Sequence, residues 1–177
     1  MKTKLKSPLQ KKVEKLIANR LATMGLVLVL IITLACIFAP VITNYNPQEN
    51  NYSAMLQAPN LEHIMGTDKL GRDVFSRILY GGRISIFIGV AASLSGALLG
   101  LVMGALAGYF GGWIDSLFTR LSEIMLTFPN MILVLLLSAI IGRGVGVLIF
   151  IYSITGWMTP FRMIRSSFLS LREETYV

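Results

Sequence analysis

Charge is scarce in this chain. Only 14% of its 177 residues are Asp, Glu, Lys or Arg, against about 25% in ordinary soluble domains. Cysteine and histidine are scarcer still, with one of each, Cys36 and His63. A lone cysteine excludes an intrachain disulfide framework. One Cys and one His far apart give no basis for a zinc site, so no metal site is expected. No Gly-x-x-x-x-Gly-Lys-Ser/Thr string occurs, which excludes a Walker-type nucleotide site on this chain. With one histidine there is no Ser/His/Asp or Cys/His set, and His63 reads as a solvated loop residue. Composition therefore excludes a disordered tail, a nucleic-acid arm and an ordinary soluble enzyme. What is abundant is apolar: 54% of the residues are hydrophobic and 16 are glycine. An integral membrane protein is the class that remains.

The excess of positive charge, 16 Lys and Arg against 9 Asp and Glu, sits beside the apolar runs and reads as orientation in a bilayer. Residues 1–20 are a basic cytoplasmic tail. Their Val13, Leu16 and Ile17 place them either on the membrane surface as a helix or in solvent as a plain tail. Residues 21–43 contain no charge and reach about 34 Å as a helix, enough to cross a hydrocarbon core. The run is too long for a signal-peptide core, and apolar residues continue past Cys36, so it is expected to be an uncleaved anchor.

Residues 44–83 are an extracytoplasmic loop, rich in Asn, Pro and Gln at its start. At its end Val74, Phe75, Ile78 and Leu79 share a helical face, and Asp73 and Arg77 are spaced to pair. With Thr67 or Asp68 as cap, this predicts a short helix lying in the interface. Residues 84–110 are the longest uncharged run. Within it Ala92, Gly96, Gly100, Gly104 and Gly108 recur every fourth residue and form one stripe. Small residues in such a stripe let another helix approach closely, the main source of attraction between helices in lipid. A polar break at 111–123 leads to a third crossing at 124–141, kinked near Pro129. After Gly142-Arg143-Gly144 a fourth crossing covers 145–161.

Eleven Lys and Arg fall on one side of this arrangement and five on the other, which predicts both ends in the cytoplasm. The four crossings hold no Asp, Glu, Lys or His. Ion-coupled transporters place such groups there, so the chain is expected to lack an energy source of its own.

The most specific string is Gly66-Thr67-Asp68-Lys69-Leu70-Gly71-Arg72-Asp73, followed by Ser76-Arg77, Tyr80-Gly81 and Arg83-Ile84-Ser85. It resembles the second permease subunit, the dipeptide/oligopeptide permease C type, of bacterial peptide/nickel ABC importers. The resemblance continues through Ala107-Gly108-Tyr109-Phe110-Gly111-Gly112-Trp113-Ile114-Asp115, Phe128-Pro129, Gly156-Trp157, Arg162, Arg165 and Leu169-Ser170-Leu171-Arg172-Glu173. It implies an all-α integral membrane protein, a type I ABC importer permease (MetI-like) helical bundle with four of the expected six transmembrane helices present, residues 84–177 being the N-terminal part of the permease core. It further implies a sister permease, two cytoplasmic ATPase subunits that hold the ATP and Mg, an extracytoplasmic substrate-binding protein, and a place in the bacterial cell membrane. No cofactor in this chain and no nucleic-acid partner are expected. Family ligands are mainly di- and oligopeptides, with nickel and glutathione carried by close relatives.

The chain stops at Glu174-Thr175-Tyr176-Val177, where the resemblance places the start of a cytoplasmic "EAA…G" docking loop. The expectation is therefore either a fragment of a longer permease or a truncated product, possibilities that include a small membrane protein that does not transport. For Gly66, Thr67, Asp68, Gly71, Arg72 and Asp73 two roles stand open. They form either a structural cap and interface anchor, or a contact for the binding protein at the outer mouth.

Overall fold

The computed structural model describes Glu14 and residues 17–172; most of the basic tail and the residues after Arg172 fall outside it. The described residues are helical apart from loops and one bridge between Thr67 and Asp73. They form two compact units, divided between Ile84 and Ser85.

In the first unit, helix α1 (Arg20–Ile37) opens on Asn19, whose side chain accepts the Ala22 N–H at 3.3 Å. Its apolar side chains are exposed almost throughout, with Cys36 buried, as suits a helix solvated by lipid. The uncharged run expected to form one crossing over 21–43 is interrupted at Phe38. Pro40 has no N–H to give the carbonyl of Cys36, so α1 ends and the short helix α2 (Ala39–Ile42) resumes with the proline in its first turn. A loop with one 3-10 turn, Tyr52–Ala54, then leads to α3 (Val74–Phe110).

The separate interfacial helix expected before residue 84 does not exist. Its residues are the opening turns of α3, which runs 37 residues without a break, about 55 Å at 1.5 Å per residue. Gly81-Gly82 does not interrupt it. Gly82 has a packing reason instead, since a Cβ there would lie 2.5 Å from the sulfur of Cys36 on α1.

The second unit contains the rest of α3 and four helices: α4 (Gly112–Thr127), α5 (Asn130–Ile141), α6 (Val145–Gly156) and α7 (Met158–Arg172). The kink expected near Pro129 is a full break, with α4 and α5 bent by 92°. The residue before a proline is pushed out of the helical region, and Phe128 is extended at φ −91°, ψ 137°. The expected third crossing at 124–141 is thus a bent pair whose first arm begins at Gly112. The fourth runs longer than expected: α6 and α7 join through a helical Trp157, and the run Val145–Leu171 contains a stretch apolar enough to cross a membrane. By length and composition three helices qualify as spans among the described residues, or four if the bent pair is one span. The buried core of this unit is Ala107 of α3 with Trp157, Met158 and Phe161, joined by Met103, Phe118 and Met125.

Candidate functional site

The Gly66–Asp73 string forms the centre of a hydrogen-bonded clasp in the first unit. The Asp68 carboxylate accepts the backbone N–H groups of Leu70 at 2.8 Å and Arg72 at 3.0 Å. It also takes the Arg72 guanidinium at 2.8–2.9 Å and that of Arg77. The Arg72 hydrogen bond, more than any other contact, holds the Asp68 carboxyl well below the usual carboxylate range. Gly71 turns the chain at φ +71°, and a side chain there would overlap the carbonyl of Asn51, whose N–H donates to Leu70. Thr67 donates its hydroxyl proton to the Ala54 carbonyl and accepts the Gln57 N–H at 2.9 Å.

Asp73 is the residue that caps α3. Its carboxylate accepts both the N–H and the hydroxyl of Ser76 at 2.7 Å, the side-chain cap geometry of a helix start. The same carboxylate meets His63 Nδ1 at 3.0 Å, and the His63 ring lies tilted against Tyr45 at 4.8 Å between centroids. Burial pushes the Asp73 carboxyl up. The Ser76 hydroxyl and amide, with His63, outweigh that and leave it below its ordinary value.

Three expectations are corrected here. Neither Thr67 nor Asp68 caps the helix. Arg77 pairs with Asp68 rather than Asp73, because Asp73 is turned inward to the helix amides. His63 is not solvated; it is 6% exposed. His63, Asp73 and Ser76 do come together, but not as a hydrolytic set. The Ser76 hydroxyl donates to the carboxylate and touches Thr43, so the imidazole has no hydroxyl proton to take.

In the second unit the stripe of α3 lies along α6 and α7. A Cβ on Gly96 would meet the backbone of Ser153 and Gly156 at 3.5 Å, and one on Gly100 would lie 2.6 Å from the Trp157 carbonyl. Gly104 faces Phe161 and Ile164, Gly108 faces Phe168, and Ala92 is buried. The hydroxyls of Ser95 and Ser153 meet across the seam at 2.5 Å. Beside it opens a groove of about 660 Å³ with a mostly apolar wall that includes Ile88, Leu148 and Pro160, into which Ser85, Ser93 and Tyr152 bring hydroxyls, and with no acidic, basic or imidazole side chain. At the far end Asp115 of α4 holds Arg165 of α7 through both carboxylate oxygens, Nη2 at 2.6 Å. This pair was not anticipated. Its members stand 50 residues apart, and only their opposite charge at the ends of apolar runs hinted at it. Among the described residues no cluster of His, Cys, Asp and Glu could hold a metal ion.

Comparison with known proteins adds two family matches. The N-terminal TM domain of oligopeptide transport permease C matches residues 7–59. The binding-protein-dependent transport system inner membrane component matches residues 96–177. Among curated relatives, the dipeptide transport system permease protein DppC of Alkalihalophilus pseudofirmus is 39% identical over 171 residues, covering 97% of this chain and 56% of the relative. The oligopeptide transport system permease protein OppC of Bacillus subtilis is 38% identical, with 90% and 52% covered. The DppC protein of the same organism is 36% identical, with 90% and 50% covered. The chain spans about half the length of the curated relatives it matches.

Proposed function

From its membership of the binding-protein-dependent transport permeases, to which this chain belongs, we propose that it forms part of the translocation pathway of an ATP-binding-cassette importer for di- and oligopeptides. In this reading it works with a sister permease, and two cytoplasmic ATPase subunits bind ATP and Mg and hydrolyse the nucleotide. An extracytoplasmic binding protein delivers the ligand. The chain itself catalyses nothing. It sits in the bacterial cell membrane with its N-terminus in the cytoplasm.

The observation that carries the reading is the seam of the second unit. Helix α3 approaches α6 and α7 closely along the glycine stripe and leaves beside it a mostly apolar groove in which the hydroxyls of Ser85, Ser93 and Tyr152 are set. Such a wall offers hydrogen bonds without favouring either charge. It contains no ionisable group of the kind that ion-coupled carriers place in their spans, so the driving energy comes from elsewhere. The clasp around Asp68 and Asp73 is then a rigid cap that holds the outer loop at the head of α3.

Deleting the gene and restoring it tests this. Uptake of labelled dipeptide is expected to fall on deletion and return on complementation, while uptake of nickel and glutathione stays unchanged. Dipeptide uptake that is indifferent to the deletion would contradict the proposal, and a selective loss of nickel or glutathione uptake would replace peptide with that ligand.

A further inference from the structure

The segment α4–α5 is bounded at both ends by glycines whose backbone no other residue adopts easily. Gly111 has φ +63°, ψ −152° before α4, and Gly112 has φ +53°. After α5, Gly142 has φ +110°, ψ −160°, and Gly144 has φ +147°, ψ 160°. Three of these four lie in a region open essentially to glycine alone. Packing does not demand them: a Cβ at Gly112, Gly142 or Gly144 would meet nothing within 4 Å. These glycines serve backbone geometry rather than close approach, unlike those of the stripe. Between them the segment is broken again at Phe128-Pro129, by 92°.

The attachment of this articulated segment to α7 is narrow. Phe118 reaches Phe161 at 6.4 Å between ring centroids, and Met125 packs on the same cluster. Asp115, one turn beyond Gly112, grips Arg165. The pair is partly exposed, with 30% of the arginine side chain and 19% of the aspartate accessible. Water or a competing charge can therefore reach it, which is not true of a sealed ion pair.

We propose that α4 is an arm jointed at Gly111-Gly112 and at the Phe128-Pro129 break, that α5 anchors it through its packing along α6, and that the Asp115–Arg165 pair is the latch that holds the arm against α7. The structure is the latched state. Opening the pair frees α4 to rotate at its glycine end and at the proline joint, a hinge movement that leaves α5 packed along α6. The purpose of the arm rests on the permease reading, since a moving wall is what alternating exposure of a groove requires.

The test reads distance rather than uptake, so its failure and that of the permease reading are separable. Nitroxide labels are placed at Arg120→Cys on α4 and Ser167→Cys on α7, in a Cys36→Ser background of the full chain in phospholipid nanodiscs. Their separation is measured by electron paramagnetic resonance. The parent is expected to give one distance. Asp115→Asn and Arg165→Gln should each add a second, longer one, while Arg165→Lys, which keeps the charge, should retain the single distance. Neutral variants with the parent's single distance would overturn the proposal. So would a second distance in Arg165→Lys as abundant as in Arg165→Gln. Failure of both neutral variants to accumulate in the membrane would overturn it as well, by making the pair a folding requirement instead of a latch.

Discussion

At the scale of the residue, two aspartates five positions apart would be read from sequence as similar surface charges, yet they differ in kind. Asp68 ties a turn to two arginines; Asp73 ends in the protein interior and starts a helix. Both carboxyls titrate below the ordinary value of about 3.9, so their contribution to the clasp is complete above roughly pH 4 and is lost as the pH falls through their own lower values. Peptic cleavage within residues 44–73 should accordingly speed up between pH 4 and pH 2 in the parent. In the Asp68→Asn, Asp73→Asn double variant it should be fast at both. Replacing the cap by Asp73→Ala removes the acceptor for the Ser76 amide and is expected to cost about 1–2 kcal/mol, read as a lowered midpoint of thermal unfolding in mild detergent.

At the scale of the element, helix breaks follow proline chemistry and helix contacts follow glycine spacing, but the two differ in how visible they are from sequence. Pro40 and Pro129 act on their own chain neighbours, so a kink near Pro129 was readable, though not its full 92°. The spacing of the stripe was equally readable. What lies against it was not, because nothing local in residues 92–108 points to residues 153–168. The same holds for the clasp: the Gly66–Asp73 string was identified, while the pairing of Arg77 with Asp68 and the burial of His63 against Tyr45 depend on loop geometry that no periodicity encodes. The seam itself yields a sharp contrast. Gly100→Leu must displace the Trp157 carbonyl and Pro160, whereas Leu101 is 45% exposed on another face. Membrane accumulation, read by immunoblot, should drop several-fold for Gly100→Leu and stay near the parent level for Leu101→Ala. Equal levels would argue that the seam adds little to folding.

At the scale of the whole molecule, the apolar runs and the asymmetry of basic residues support the proposed orientation, with residues 44–73 outside and α7 ending inside. Single cysteines at Asn50 and Ser167, in a Cys36→Ser background, test it with an impermeant maleimide on intact cells: labelling is expected at position 50 and absent at 167. The groove beside the seam is the proposed pathway, and neighbouring positions on α3 separate it from the lipid face. Ser93 lines the groove, whereas Leu94 is 67% exposed on another face of the helix. The most direct measurement is therefore reaction of Ser93→Cys and Leu94→Cys with a small water-soluble thiol reagent, followed by dipeptide uptake in the same cells. Ser93→Cys is expected to react and lose uptake, while Leu94→Cys does neither. Equal reaction at both positions, or modified Ser93→Cys with undiminished uptake, would contradict the proposed pathway.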